Sequence, residues 1–266
     1  MTKIAVMGCG WLGLPLAKAL LSKQFSVKGS TTSEEKVLQM KKLGIEPALL
    51  VLSETDIKGN IHEFLANVNI LIINIPPRLR SGNGENYVKK MQLVYRALLI
   101  SSVEKIVFVS STSVYGDIHG EVDEDTPPNP STESGKQLTE AEKIFKDVKN
   151  FETTIIRFGG LIGPDRHPVT MLSGRKNLKN GHYPINLIHL NDCIKIIEEV
   201  ILNDWWNETL NGVFPYHPSK SEYYNTEAKK RSIQPIDYEQ SNAKKGKTVR
   251  SKNLISVKGF RFTTTL

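Results

Sequence analysis

Gly8, Gly10 and Gly13 are spaced so that backbone, rather than side chain, can do the chemistry. They stand in residues 4–17, IAVMGCGWLGLPLA, where an apolar run passes directly into an apolar-periodic segment. In the strand–turn–helix this pattern predicts, Gly8 permits the tight turn, Gly10 leaves room for a pyrophosphate, and Gly13 lets the helix pack on the strand. Backbone amides at Trp11 and Leu12, at the positive end of the helix, would then face phosphate oxygens. This reads as a dinucleotide loop, with an unliganded glycine-rich turn as the alternative. Cys9 sits in the same loop, and its small side chain is read as filling a crowded turn rather than as a nucleophile.

The next chemistry-bearing residues follow predicted strands. After the second strand come Ser30, Thr31, Thr32 and Lys36, where an NAD-preferring site would place an acid to hold the ribose hydroxyls; the first acid is Glu34. Hydroxyls and a lysine there accept a 2′-phosphate, so NADP is favoured and NAD remains allowed. The alternative is a polar loop with Ser33 capping the following helix. Ile75, which ends the fourth strand, and Pro76 after it are cofactor-contact candidates. Residues 110–116, SSTSVYG, follow the fifth, and 157–164, RFGGLIGP, follow the sixth, which makes Ser110, Gly159, Gly160 and Leu161 cofactor-contact candidates. Arg166 and His167 come next as candidates for an anionic group on a substrate, against the alternative of a surface turn bounded by Pro164 and Pro168.

The elements that must position these residues alternate through the first two-thirds of the chain. Strands are predicted at 25–30, 47–52, 69–75, 105–110 and 153–158, and helices at 34–42, 85–100 and 134–148. This is the pattern of an α/β fold, a doubly wound parallel sheet (Rossmann) covered on both faces. The expected organisation is a dinucleotide-binding domain over 1–164, to which 185–204 returns, and a small C-terminal substrate subdomain made of 165–184 and 205–266. Trp205 and Trp206 are expected to close the core.

Composition sets outer limits. At 266 residues and 39% hydrophobic content the chain can bury a full core. Two cysteines, Cys9 and Cys193, and no leader pattern or membrane-length apolar run point to a cytoplasmic protein. Six histidines without paired spacing suggest no metal. The +7 charge is concentrated late, at Lys244, Lys245, Lys247, Arg250, Lys252, Lys258 and Arg261. With few aromatics among them and no nucleic-acid motif, they read either as a solvated basic face or as an anion site, and no nucleic acid or membrane partner is expected. Monomer and homodimer both stay open.

Taken together, the glycine loop, SSTSVYG, RFGGLIGP and residues 186–192, NLIHLND, resemble the extended short-chain dehydrogenase/reductases, within the NAD-dependent epimerase/dehydratase family. Arg166-His167-Pro168, 186–189, Tyr223-Tyr224 and Gly246-Lys247 resemble more particularly its atypical YeeZ-like group. The resemblance implies that Ser111 hydrogen-bonds the substrate carbonyl or hydroxyl. It also exposes a departure. Aligning 130–138, PSTESGKQL, on the family's PxxxYGxxK pattern puts Ser134 at the catalytic Tyr and Leu138 at the Lys that lowers its pKa. Lys136 is out of register. Tyr115 is the candidate substitute donor, with packing beneath the loop as the alternative. His189, able to titrate near neutrality, is a further candidate at the substrate, against a structural role at a strand end.

Two functions follow from these expectations. One is an NAD(P)-dependent oxidoreductase or epimerase acting on a small, anionic or sugar-like molecule. The other is a cofactor-binding sensor or interaction module without turnover.

Overall fold

The computed structural model describes residues 2–77, 85–146, 148–240 and 246–266. The chain opens with β1 (Lys3–Met7), the glycine loop, α1 (Gly13–Ser22), β2 (Ser26–Thr31), α2 (Glu34–Lys42) and β3 (Glu46–Leu49). A small antiparallel pair, β4 (Val51–Leu52) and β5 (Ile57–Lys58), and the short α3 (Ile61–Leu65) lead to β6 (Ile70–Ile73). Next come α4 (Tyr87–Leu98), β7 (Lys105–Ser111), a 3-10 turn over Thr112–Tyr115, β8 (Gly120–Val122), α5 (Glu133–Phe145) and β9 (Glu152–Phe158). The last part holds β10 (Gly160–Ile162), α6 (Pro168–Leu172), β11 (Leu187–His189), α7 (Leu190–Leu202), β12 (Thr209–Gly212), α8 (Lys220–Lys230), β13 (Lys247–Val249) and a π-helical turn over Asn253–Val257.

Seven strands form one parallel sheet in the order β12-β9-β7-β6-β1-β2-β3. The order reverses at β1, where Ile4 pairs with Val27 on one side and Ile70 on the other. Connections leave β1 and β6 in opposite directions, which opens a crevice beyond their carboxyl ends, just where the glycine loop lies. Helices cover both faces, so strand residues alternate between two apolar layers rather than between core and water. Ile4 and Val6 join Leu16, Leu20, Ile196 and Val200 on one face. Ala5 and Met7 join Leu71, Met91, Val94, Phe108 and Phe145 on the other. A third apolar cluster, with Ile162, Val169, Ile185, Tyr223, Tyr224 and Ile236, forms apart from these two layers. Trp206 is buried in the first layer, as its position in the sequence predicts.

Most of the predicted elements appear within a few residues of their expected bounds. The third predicted strand, 47–52, is instead two elements: β3 stops at Leu49, Leu50 turns into the core, and Val51–Leu52 pair with β5. The predicted 134–148 helix ends at Phe145 because Lys146 is already extended. Two parallel pairings, β10 with β11 and β8 with β13, were not anticipated; both join segments far apart in sequence. The C-terminus is held at Asp192, a fully buried carboxylate in the first turn of α7. It accepts from the amide and hydroxyl of Thr263 at 2.7 and 2.8 Å and from those of Thr264. No helix among the described residues is long and apolar enough to cross a membrane.

Candidate active site

The three glycines do three different jobs. Gly8 has φ +102°, and a Cβ there would lie 2.6 Å from the Asn74 carbonyl oxygen. At Gly13 a Cβ would lie 2.1 Å from the Gly8 oxygen, so helix and turn close on each other. At Gly10 it would meet nothing within 4 Å, which marks an open face on the loop. The turn is fixed by its own bonds: Ser30 Oγ accepts from the Gly8 amide at 2.9 Å, the Cys9 amide donates to the Ser30 carbonyl at 2.8 Å, and Asn74 Nδ2 donates to the Gly8 carbonyl at 3.0 Å. α2, α4 and α5 each have a side-chain N-cap, from Ser33, Asn86 and Thr132. α1 has none and no acid in its first turn. Among the described residues the amides of Trp11, Leu12 and Gly13 find no acceptor. Open donors at a helix start beside a side-chain-free face suit a pyrophosphate. Cys9 is buried against β2, and burial pushes its thiol up to about 12, so it fills the turn.

At the end of β2 the expected contact set divides. Ser30 and Thr31 are buried; Ser30 holds Gly8, and Thr31 Oγ1 accepts from the Ser33 amide at 3.2 Å. Both hydroxyls accept from the protein's own backbone. Thr32 and Lys36 remain exposed there, alongside Glu34. At the end of β6, Ile75 packs on Gly8, its carbonyl accepts from Tyr87 Oη at 2.8 Å, and Pro76 is exposed.

Beyond β7 the pleat separates two adjacent serines. Ser110 is buried, and its hydroxyl donates to Glu142 Oε1 at 2.6 Å. Arg157 completes the pair with Nε to Oε1 at 3.0 Å and Nη2 to Oε2 at 2.6 Å, and its Nη1 donates to Tyr115 Oη at 3.0 Å. Tyr115 Oη then donates to Asn211 Oδ1 at 2.9 Å. Tyr115 is 0% exposed. It therefore has no route to a substrate, and both Ser110 and Tyr115 are removed from the contact set as members of a buried ionic network. Ser111 is different: it is half-buried, caps the 3-10 turn by accepting from the Ser113 amide at 3.1 Å, and its own proton has no acceptor among the described residues. The first turn of α5 packs on this turn at Gly135, where a Cβ would lie 2.7 Å from the Ser113 carbonyl oxygen. That turn brings Ser134, also half-buried, to the same end of the sheet, while Leu138 is buried in the core and Lys136 points to solvent.

After β9, Gly159 and Gly160 admit the neighbouring segment: Cβ atoms there would lie 2.6 Å from the Asn186 oxygen and 2.7 Å from Leu187 Cδ2. Leu161 is half-buried on β10. His167 is buried as the N-cap of α6, its Nδ1 accepting from Val169 and its Nε2 lying 3.1 Å from Tyr223 Oη. His189 caps α7 by accepting from Asn191 at 3.2 Å. His167 is buried with both ring nitrogens engaged, which corrects its expected place at the substrate, whereas His189 caps its helix through Nδ1 alone and stays half-buried. Arg166 is exposed, with its guanidinium 5.0 Å from the Trp11 ring centroid.

With this geometry in place, the relatives can be compared. The profile of the NAD(P)H-binding family matches residues 8–187. The chain belongs to this family. Protein YeeZ of Escherichia coli K12 is 34% identical over 265 residues, spanning 98% of this chain and 96% of its own. A protein described as an uncharacterized UDP-glucose epimerase, YtcB of Bacillus subtilis, is 25% identical over 228 residues, 75% of this chain and 72% of its own. The fold of UDP-glucuronic acid 4-epimerase from Bacillus cereus, solved with UDP-glucuronic acid and NAD, superposes with a TM-score of 0.79 at 18% identity, covering 99% of this chain and 95% of that one. The chain thus has the NAD(P)-binding, epimerase/dehydratase-type Rossmann fold.

In this family member the late basic run is largely spent on pairs: Arg250 with Glu121, Lys252 with Asp125 and Lys258 with Glu208. Lys244 and Lys245 lie outside the described residues. Lys247 is half-buried and donates to the carbonyls of Thr112 at 3.1 Å and Gly116 at 2.6 Å, which pins the turn that carries Ser111. Beside it, Gly246, at φ +98°, lies flat on the Tyr183 ring, and Lys220 Nζ stands 5.5 Å from that ring's centroid. Burial pushes both lysines below the ordinary lysine value. Both ring nitrogens of His182 and the Nε2 of His217 are buried without partners among the described residues. Sequence reading missed Lys220, Tyr183 and the role of Lys247: the β8–β13 pairing brings Lys247 to the turn of Ser111, and the Pro184–Ser219 bridge sets Lys220 beside Tyr183. It also missed Arg157 and Glu142, although a charged residue inside the apolar strand TTIIRF was the available signal.

Proposed function

We propose that this chain is an NAD(P)-dependent oxidoreductase or epimerase acting on an anionic, sugar-like substrate of the sugar-nucleotide type. The observation that carries the reading is Ser111. It is half-buried at the carboxyl end of β7, two strands from the glycine loop, with its hydroxyl proton uncommitted among the described residues and Lys247 holding its turn. A bound nicotinamide supplies hydride acceptance and return at a carbon bearing oxygen. Ser111 donates a hydrogen bond to that oxygen and stabilises the charge developing there, while the oxygen's own proton is released to water as the hydride leaves the carbon and is taken back as it returns. Ser134 orients rather than exchanges a proton, since a hydroxyl with no cation on it titrates far above neutrality. Residues 165–184 and 220–238, whose apolar side chains pack in the third cluster, form the substrate wall, and Lys220 meets the anionic part; this unit is smaller than the expected 205–266 because β12, Trp206 and Phe260 belong to the main sheet and its core. Exposed Thr32 and Lys36 support NADP(H) over NAD(H).

The second reading, a cofactor-binding module without turnover, is favoured by Leu138 in the core and Tyr115 sealed beneath the turn. One experiment separates the two. The protein is incubated with UDP-glucose or UDP-glucuronic acid and either cofactor, following dihydronicotinamide absorbance and the sugar by NMR. The enzyme reading expects turnover that falls about a hundredfold in Ser111→Ala and little in Ser134→Ala. Tight cofactor binding with no sugar conversion in either direction establishes the module instead.

A further inference from the structure

Residues Gly163–Arg166 close a tight turn in which Gly163 and Arg166 exchange both backbone bonds, at 2.8 and 3.2 Å, with Pro164 at its second position. The turn is pressed against the glycine loop. A Cβ at Gly163 would lie 2.7 Å from Trp11 Cζ2, Trp11 Nε1 donates to Asp165 Oδ1 at 2.9 Å, and the Arg166 guanidinium lies 5.0 Å from the indole centroid. Trp11 is the residue after Gly10, whose open face and neighbouring free amides form the phosphate cradle. Among the described residues the donors of that cradle are backbone amides, and α1 has no polar side chain at its start. A guanidinium placed over an indole ring is held there without using its N–H groups, which stay available for bidentate phosphate binding.

We propose that Trp11, Asp165 and Arg166 form a clasp on the glycine loop in which Arg166, shelved on the indole, binds the pyrophosphate of the dinucleotide. Arg166 is then a cofactor residue rather than a substrate residue. Asp165 orients the shelf by fixing the indole N–H. The inference rests on the reading of the loop as the dinucleotide site. Because Arg166 is exposed, replacing it leaves the fold intact.

The test titrates NADH, NADPH, ADP-ribose and adenosine into wild type, Arg166→Gln and Arg166→Lys, by calorimetry and by energy transfer from the protein's tryptophans to the dihydronicotinamide. The clasp predicts that Arg166→Gln weakens NADH, NADPH and ADP-ribose about tenfold, the effect of losing one charge-assisted contact. Adenosine affinity stays unchanged, Arg166→Lys falls between, and added salt narrows the gap between wild type and Arg166→Gln. Wild-type binding of NADH that is matched by Arg166→Gln overturns the clasp alone, as does an equal loss for adenosine. Failure of wild type to bind either dinucleotide overturns the clasp and the cofactor site together.

Discussion

Replacing Arg157 with methionine should destabilise this protein more than most single changes. Arg157 and Glu142 have side chains only 5% and 4% exposed, and two bonds of 3.0 and 2.6 Å join them. Removing the guanidinium leaves a carboxylate in the core with Ser110 as its remaining partner and strips one donor from Tyr115 Oη. Breaking such a pair on one side costs about 3–5 kcal/mol, because the surviving charge is buried without compensation. Replacing both members by apolar residues of similar volume removes that charge, so Glu142→Leu with Arg157→Met should recover most of the loss. Urea unfolding measures both: a slope of roughly 3 kcal/mol per molar converts the single-variant loss into a midpoint shift on the order of 1 M. A single-variant loss below about 1 kcal/mol, or a double variant no more stable than the single, would refute the account of this network as a mutually compensated buried pair.

Two further outcomes are expected. Asp192→Ala removes the acceptor for four donors of Thr263 and Thr264; it should cost about 2–4 kcal/mol, and the amides of both threonines should lose hydrogen-exchange protection. His167 titrates below the ordinary histidine value, through burial first and then Arg231, with Glu227 opposing. The unfolded chain therefore takes up the proton first as pH falls, so this histidine's contribution to stability is complete above about pH 6.5 and is lost as pH drops through the folded value. His167→Asn, which keeps an N-cap acceptor without a titrating ring, should flatten the fall in urea midpoint between about pH 6.5 and 5.

The sheet was legible because its strands are buried on both faces and read as apolar runs punctuated by helices of a different period. The glycine loop was legible because its chemistry is backbone chemistry, written directly as spacing. The ends of the strands were harder. Ser110 and Ser111 are adjacent and alike in sequence, yet the pleat sends one to Glu142 and leaves the other at the cleft. Tyr115 reads as reactive beside Ser111, and only the distant Asn211 and Arg157 show that its hydroxyl is already engaged. His167 looks like a site residue until its position as a helix cap is known, and the following Pro168 was a usable sign. The role of Lys247 was out of reach because the pairing of β13 with the distant β8, not local pattern, places it.

The central claim is that the open face at Gly10 receives the pyrophosphate of a nicotinamide dinucleotide. Calorimetric titration of NADPH and NADH into wild type and Gly10→Val tests it most directly. A Cβ at Gly10 touches nothing within 4 Å, so the valine variant should fold and melt like wild type. The account predicts that wild type binds, with NADPH the tighter of the two, and that Gly10→Val binds neither. Undiminished binding by a folded Gly10→Val, or no binding by wild type, would contradict it.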